Sequence, residues 1–169
     1  MIIVLMGVSG CGKSTIGGLL AGRLGWPLAE GDDLHPAENV AKMAAGHPLD
    51  DADRAPWLAR IREWIDGRIA AGESGLVTCS ALKRRYRDVL RGGPGHPAGE
   101  VVFVYLHGTR EQLLTRLTAR QGHFMPASLL DSQLADLEPP EPDERALRID
   151  IGPSPAVQAD AIVEKLALD

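Results

Sequence analysis

The chain has 169 residues, 44% of them hydrophobic, which predicts a single domain over residues 1–169 with a sizeable core. Its 18 basic and 23 acidic side chains give a formal net charge of −5, a balance that argues against nucleic acid as the main ligand. No apolar stretch is long enough to span a bilayer and no export signal precedes the first predicted strand, so we expect a cytoplasmic protein that acts on a small molecule. The two cysteines, Cys11 and Cys79, form no disulfide framework and fit that reducing compartment.

A phosphate-binding pattern follows the first predicted strand. The apolar run at residues 2–6 leads into GVSGCGKS at residues 7–14, which fits G-x-x-x-x-G-K-[ST], and a helical pattern follows over residues 15–24. Backbone N–H groups in such a loop converge on phosphate oxygens at the positive end of the helix. We therefore expect a nucleoside triphosphate, with Lys13 on its outer phosphates and the Ser14 hydroxyl on magnesium. The nucleotide-binding residues predicted from this pattern are Gly7, Val8, Ser9, Gly10, Cys11, Gly12, Lys13, Ser14 and Thr15.

Five apolar segments, separated by helical patterns, predict a parallel sheet. They cover residues 2–6, 27–30, 75–79, 101–106 and 146–151. The first, third and fourth segments lack polar alternation, which is typical of strands that helices cover on both faces. A repeat of strand and helix of this kind predicts an α/β fold.

The helices carry start signals and apolar faces of their own. One apolar face, which we expect in the core together with its tryptophans, comprises Trp57, Leu58, Ile61, Trp64 and Ile65. Ser80 predicts the start of the helix that follows the third strand. Thr109 with Gln112 predicts a capping box for a helix that runs to about residue 121, and Ser154 predicts the start of the last helix.

The loop after the second strand is the first candidate wall of an active site, because ligands of an open parallel sheet collect beyond the carboxyl ends of its strands. This loop reads EGDDLHP at residues 30–36. Asp32 is the candidate for accepting the proton of an attacking hydroxyl. For Glu30, Asp33 and His35, a role in the site and a local role, such as capping the next helix, are both open.

Cationic residues supply further candidates. Arg54 lies in the first turn of the tryptophan helix, where an arginine opposes the helix dipole; an anionic substrate group and a structural role are both open. Lys83 and Arg87, one helical turn apart after the third strand, are expected to meet a carboxylate or a phosphate. Arg116 and Arg120 share a helical face ahead of a glycine and a proline that can hinge; a lid over the phosphoryl group and a plain helix terminus are both open.

One common magnesium ligand is absent from the pattern. The third predicted strand does not end in an acidic residue, which motor and switch ATPases use as a second magnesium partner. The expected magnesium ligands are then Ser14, phosphate oxygens and water, with Asp32 as a further candidate.

The chain resembles the gluconokinase family of small P-loop kinases from its first strand to about residue 138. The matching segments are MGVSGCGKST at residues 6–15, GDDLHP at 31–36, NVAKM at 39–43, DDADRAPWL at 50–58, CSALKRRYRD at 79–88, GHFM at 122–125 and SQLADLE at 132–138. The phosphate loop alone identifies only a superfamily, whereas GDDLHP followed by CSALKRRYR is far more specific. The resemblance implies a three-layer P-loop kinase fold, in which helices cover both faces of a five-stranded parallel sheet ordered 2-3-1-4-5 and a mobile lid spans about residues 116–138.

The resemblance also implies an activity, the phosphorylation of D-gluconate to 6-phosphogluconate with ATP and magnesium. Carried over by position, the catalytic residues are Lys13, Asp32 and Arg120, and Glu30 stands where relatives more often carry aspartate. In this interpretation Ser14 is the metal ligand and Arg116 joins the nucleotide-binding residues. The predicted substrate-binding residues are Asp32, His35, Arg54, Lys83 and Arg87.

Two other functions stay open from the sequence. The first is another small-molecule kinase on the same scaffold, with shikimate or adenylyl sulfate as its acceptor. The second is a nucleotide-binding module without transfer chemistry. The sequence also leaves a homodimer open, and we expect neither nucleic acid nor membrane as a partner.

Overall fold

A five-stranded parallel sheet lies at the centre of this computed structural model, which describes residues 1–93, 100–119 and 127–168. Its strands are β1 (Ile2–Met6), β2 (Leu28–Glu30), β3 (Gly75–Thr78), β4 (Val101–His107) and β5 (Leu147–Asp150). They lie side by side in the order β2-β3-β1-β4-β5, and every neighbouring pair is parallel. The predicted α/β fold and its sheet order are confirmed.

Helices connect these strands and follow the last one. Within the described ranges they are α1 (Lys13–Leu24), α2 (Ala37–Ala44), α3 (Asp51–Ala70), α4 (Arg84–Arg91), α5 (Arg110–Ala119), α6 (Ala127–Asp136) and α7 (Pro155–Lys165). Two short 3-10 turns occur at Gly31–Leu34 and Pro142–Glu144. No helix in the part of the chain that the structure describes is long and apolar enough to cross a membrane.

The sheet buries both of its faces, as the apolar strands predict. Side chains of a strand alternate between its faces, and in β1 Ile3 and Leu5 pack into a core with α1, α5, α6 and α7. Val4 and Met6 pack into a second core with α3 and α4. Trp57 of the predicted apolar helix face belongs to this second core and is 1% exposed. Helices therefore cover the sheet on both sides.

Two of the capping signals read from the sequence, at Thr109 and at Ser154, occur in the structure. The backbone N–H of Thr109 donates to Gln112 Oε1 at 2.9 Å and the N–H of Gln112 donates back to Thr109 Oγ1 at 3.2 Å. Asp50 and Asp53 form a second reciprocal pair at the start of α3. Ser154 caps α7. These bonds satisfy N–H groups that have no partner within their own helices.

One predicted helix start is wrong, because Ser80 does not begin α4. Helix α4 begins at Arg84, four residues later. Ala81 has a φ of 46°, in the left-handed region that a right-handed helix excludes. The carbonyl of Ser80 instead accepts from the N–H of Gly7, so this segment contacts the loop after β1.

A buried ion pair attaches α4 to the turn at Pro142–Glu144. The side chains of Arg87 and Glu144 are both 0% exposed, with Arg87 Nε 2.7 Å from Glu144 Oε1 and Nη2 3.0 Å from Oε2. Arg91 Nη2 lies 2.8 Å from the same carboxylate. Burial raises the pKa of Glu144, but the hydrogen bonds from Arg87 and Arg91 outweigh it and lower that pKa to about 2.

We expect Glu144→Gln to lower the free energy of unfolding by about 3 kcal/mol, because it leaves the Arg87 guanidinium buried without a counter-charge. The pKa of Glu144 in the fold, about 2, lies below its usual 4.5. The carboxylate therefore stabilises the wild type fully above about pH 5, and this contribution is lost as the pH falls toward about 2.

Urea denaturation at pH 7 and at pH 3 measures both effects. The variant should lose less stability than the wild type between the two pH values. Glu164→Gln, at an exposed position of α7, is the matched control and should behave like the wild type. Equal stability of Glu144→Gln and the control at pH 7 would contradict the buried pair.

Candidate active site

The loop between β1 and α1 forms a cradle at the start of a helix. Gly12 precedes α1 with a φ of 101°, and no side chain in the described part of the chain caps this end, so its N–H groups are available to an anion. Gly7 has a φ of 142°, and a Cβ there would lie 2.7 Å from Cys11 Sγ and 2.9 Å from the carbonyl oxygen of Leu106. Glycine at this position is what allows the chain to turn out of β1.

Lys13 and Ser14 place a cation and a hydroxyl at this cradle. Lys13 Nζ donates to the carbonyl oxygens of Gly7 and Val8, at 2.8 and 3.2 Å, so the ammonium lies over the loop. Ser14 Oγ donates to Glu30 Oε2 at 2.9 Å. The cradle thus combines backbone donors, a point charge and oxygen ligands, which are the groups that bind a triphosphate with a divalent cation.

Glu30 places a carboxylate beside the Ser14 hydroxyl, whereas the third strand ends in Thr78. It ends β2, and its Oε2 accepts from Ser14 Oγ and from Thr78 Oγ1, the latter at 2.7 Å. Thr78 ends β3, beside β2 in the sheet. The Ser14 hydroxyl and the Glu30 carboxylate offer oxygen atoms only, and Mg²⁺ prefers oxygen, with one or two protein carboxylates and the rest from phosphate and water. The donor set therefore fits magnesium.

Gly31 determines where Asp32 lies. The N–H of Gly31 donates to Thr78 Oγ1 at 3.1 Å, and its carbonyl accepts from Trp57 Nε1 at 2.7 Å. A Cβ at Gly31 would overlap the carbonyl oxygen of Thr78, so β2 and β3 meet here only through glycine. The turn at Gly31–Leu34 then leaves Asp32 exposed, close to the phosphate loop.

Two cavities meet beside the phosphate loop. The first, which we call the phosphate cavity, is lined by Ser9, Gly10, Gly12, Lys13, Ser14, Thr15, Asp32, Arg116 and Ala119. The second, the inner cavity, is lined by Ser9, Lys13, Asp32, His35, Met43, His47, Pro48, Leu49, Arg54, Trp57, Ser80, Leu82, Leu129, Ser132 and Gln133. The two share Ser9, Lys13 and Asp32. Molecules held in the two cavities would therefore meet at these three side chains.

The inner cavity contains a guanidinium and an imidazole. Arg54 is 6% exposed, and its Nη1 donates to Tyr86 Oη at 3.0 Å and to Asp136 Oδ2 at 3.1 Å. The ring of His35 stacks on Trp57 with 4.1 Å between centroids and 15° between planes. Burial lowers the pKa of His35 and the Arg54 charge lowers it further, against the opposing effect of Asp32. The structure thus brings Asp32, His35 and Arg54 to one cavity, and their roles toward a substrate stay predictions.

Helix α6 supplies a wall that the residue-by-residue reasoning missed. The N–H of Ser9 donates to Gln133 Oε1 at 2.8 Å, and Gln133 Nε2 donates to Ser9 Oγ at 3.1 Å. Leu129 and Ser132 of the same helix line the inner cavity. The one sequence signal for Ser132 and Gln133 is the segment SQLADLE at residues 132–138, which is part of the family resemblance. The paired bonds tie the position of α6 to the phosphate loop.

Two predicted substrate-binding residues lie elsewhere. Lys83 Nζ donates to Asp51 Oδ1 at 3.2 Å and lies 5.8 Å from the centroid of the Tyr86 ring. Arg87 is buried against Glu144, and neither cation is among the residues that line the two cavities. The predicted placement of Lys83 and Arg87 against a substrate is therefore corrected, because neither side chain lines either of the two cavities.

The sequence assigns two arginines to the nucleotide, Arg116 and Arg120, and the structure describes only the first of them. Arg116 lines the phosphate cavity, and its Nη2 donates to the carbonyl of Ile151. It also lines a third cavity, with Glu111, Gln112, Thr115, Ile151 and Gly152. Arg120 and the segment at 122–125 lie outside the described residues, so the lid arginine stays a prediction.

Comparison with known proteins finds relatives over almost the whole chain. The shikimate kinase family model matches residues 9–139. A gluconokinase of Gluconobacter oxydans is 49% identical over 97% of this chain and 88% of its own length. Among solved structures, an unliganded sugar kinase from a Janibacter species has a TM-score of 0.90 and 48% identity, over 99% of this chain and 94% of that chain. A gluconokinase from Sinorhizobium meliloti has a TM-score of 0.86 and 47% identity, over 98% and 90% of the two chains.

We expect Lys13→Ala to weaken the binding of MgATP roughly tenfold to a hundredfold, because it removes a charge-assisted contact to the outer phosphates. Isothermal titration calorimetry measures the affinity, and thermal unfolding checks that the fold is intact. Lys165→Ala, at the exposed carboxyl end of α7, removes the same charge from a residue that lines neither cavity and should bind like the wild type. Unchanged affinity in Lys13→Ala would contradict the assignment of this lysine.

Proposed function

The chain belongs to the gluconokinase family, and on that premise we propose that it transfers the γ-phosphoryl group of ATP to D-gluconate and releases ADP and 6-phosphogluconate. The observation that carries this proposal is the junction of the phosphate cavity and the inner cavity at Ser9, Lys13 and Asp32. A triphosphate in the first cavity and a small polyol acid in the second would meet at a cation and a carboxylate, the two groups that phosphoryl transfer to a hydroxyl needs.

The phosphate cavity suits the nucleotide. Its backbone donors and Lys13 would hold the phosphates, while Arg116 lies between this cavity and the one that Ile151 and Gly152 line. We place the adenine base near residues 151 and 152, where backbone groups could contact its edge. Arg120 is assigned to closing over the phosphates as part of a lid at about residues 116–138, an assignment that rests on the family resemblance.

The inner cavity suits a sugar acid. Gluconate has one carboxylate, for which Arg54 is the cation at hand: its bonds to Tyr86 and Asp136 both use Nη1, and a guanidinium has further donors on Nε and Nη2. Its hydroxyls call for small polar partners, and Ser132 and Gln133 line the same cavity. Apolar walls would exclude water from the reacting hydroxyl.

Asp32 and Lys13 would carry the chemistry at the junction. Asp32 would orient the attacking hydroxyl of gluconate and accept its proton, while Lys13 would neutralise the charge that develops on the transferring group. Ser14 and Glu30 would hold magnesium, directly or through water, and the ion would supply neutralisation of charge at the phosphates. Since such transfer depends mostly on positioning and charge, we assign the chemistry to Asp32 and Lys13, with Arg120 predicted to close over the phosphates.

An acceptor panel tests the proposal. ADP release is followed with ATP, magnesium and, in turn, D-gluconate, shikimate and adenylyl sulfate. We expect turnover with gluconate and none above background with the other two. Turnover with shikimate or adenylyl sulfate and silence with gluconate would replace the acceptor, and ATP binding without release of ADP for any acceptor would indicate a module without transfer chemistry.

We expect Asp32→Asn to lower kcat at least roughly a hundredfold while the affinity for ATP stays near the wild-type value, because the amide cannot accept the hydroxyl proton. Asp33→Asn is the matched control, since Asp33 is the next residue in the same turn and is not among the residues that line the two cavities. A loss of ATP affinity in Asp32→Asn would assign that carboxylate to the metal or the fold instead.

We expect Glu30→Gln to raise the magnesium concentration needed for half-maximal turnover about tenfold, because Ser14 loses its carboxylate partner at the metal. Glu30→Asp keeps the charge and should recover part of the effect. The measurement is a magnesium titration of turnover at fixed ATP excess. An unchanged magnesium requirement in Glu30→Gln would exclude Glu30 from the metal site.

A further inference from the structure

Asn39 is a buried amide whose orientation can be assigned from its contacts. It lies in α2, within the segment NVAKM, and is 3% exposed. Its Nδ2 lies 2.8 Å from the backbone carbonyl oxygen of Asp53 and 3.2 Å from His35 Nδ1. A carbonyl oxygen can only accept, so the nitrogen of the amide, and not its oxygen, faces Asp53. The second hydrogen on the same nitrogen is then directed to His35.

We infer that Asn39 holds His35 in the neutral tautomer with its proton on Nε2, and that this N–H donates to an oxygen of the sugar acid in the inner cavity. The first half follows from hydrogen-bond chemistry, because a ring nitrogen that accepts from an amide cannot carry a proton itself. The second half rests on the function proposed above. Asn39 is thus a positioning residue, and His35 is the group that touches the substrate.

Two contacts fix the ring of His35, one on its face from Trp57 and one at Nδ1 from Asn39. Trp57 stacks against its face, 4.1 Å between centroids, and is itself fixed by its hydrogen bond to the Gly31 carbonyl. Because Asn39 occupies the Nδ1 edge, the Nε2 edge is the one left to a ligand of the cavity that His35 lines. Gly31 also determines the position of Asp32. The proposed donor, His35, and the candidate base, Asp32, therefore both depend on the placement of Gly31.

The charges around His35 agree with a neutral ring. Burial is the main cause that lowers its pKa, Arg54 lowers it further and Asp32 opposes both. His47 lines the same cavity. The side-chain carboxylate of Asp53 pairs with Lys42 Nζ at 2.6 Å. Asn39 contacts the backbone carbonyl oxygen of Asp53 and not this carboxylate. A neutral donor can serve a hydroxyl or a carboxylate oxygen without adding a second buried cation beside Arg54.

The tautomer is read directly from two-bond ¹⁵N–¹H correlation spectra of the labelled, full-length protein at pH 7, with the His35 signal assigned by its loss in His35→Gln. We expect Nε2 to carry the proton in the wild type and Nδ1 to show the shift of an unprotonated acceptor. In Asn39→Asp the new carboxylate should draw a proton to Nδ1. A wild-type ring protonated on Nδ1, or on both nitrogens, would overturn the inference without any substitution being needed.

Two isosteres test the contact to the substrate. His35→Gln carries an amide nitrogen to about the place of Nε2, whereas His35→Asn reaches only the place of Nδ1. We expect the KM for gluconate to rise about tenfold in His35→Asn and less than about threefold in His35→Gln, with the KM for ATP unchanged in both. Equal rises in the two variants would overturn the Nε2 contact. If the wild type does not phosphorylate gluconate, the proposed function and this contact fail together, while the spectra still decide the tautomer.

Discussion

The close approach of β2 and β3 at Gly31 is the constraint on which the candidate active site depends. Gly31 donates to the Thr78 hydroxyl and accepts from Trp57, and no side chain fits between its Cα and the Thr78 carbonyl. The contacts of Gly31 therefore also fix the backbone positions of its two neighbours, Glu30 and Asp32. Glu30 reaches the Ser14 hydroxyl, and Asp32 reaches the boundary of the two cavities. One glycine thus positions both the candidate metal ligand and the candidate base.

The walls of the inner cavity come from elements far apart in the chain. Helix α3 brings Arg54 and Trp57, and α6 brings Leu129, Ser132 and Gln133. The bonds between Gln133 and Ser9 connect α6 to the phosphate loop, while Asp136 of the same helix bonds to Arg54. The helix therefore contacts both the nucleotide side and the acceptor side. This arrangement would let occupancy of the phosphate loop influence the cavity in which we place gluconate.

Most of the fold and part of the candidate site are predictable from the sequence, because the patterns that predict them are local. Strand and helix patterns are local, so the five predicted strands differ from the observed ones by at most one residue at either end. The phosphate loop and its helix are also contiguous. The start predicted for α4 is too early, because the residues around Ala81 are ordinary helix formers and give no sign of the left-handed backbone there. Ser80 consequently looked like a cap.

The sequence does not predict which side chains pair with one another when the partners lie far apart in the chain. The sequence predicts that Lys83 and Arg87 meet an anionic group of a ligand, but the carboxylates that they meet belong to the protein, 32 and 57 residues away, and no local pattern reveals them. The bond between Ser9 and Gln133 spans 124 residues. The sequence leaves the role of Glu30 open because this role depends on contacts with the neighbouring strand and with α1. Local patterns therefore identified the elements, while the fold decided which charges remain for a ligand.

A crystal structure with magnesium, a non-hydrolysable ATP analogue and D-gluconate tests the central claim most directly. The account predicts the terminal phosphate in the phosphate cavity and gluconate in the inner cavity, with one gluconate hydroxyl hydrogen-bonded to Asp32 and within about 3.5 Å of the terminal phosphorus. Gluconate bound outside the inner cavity, or a reacting hydroxyl remote from Asp32, would contradict it.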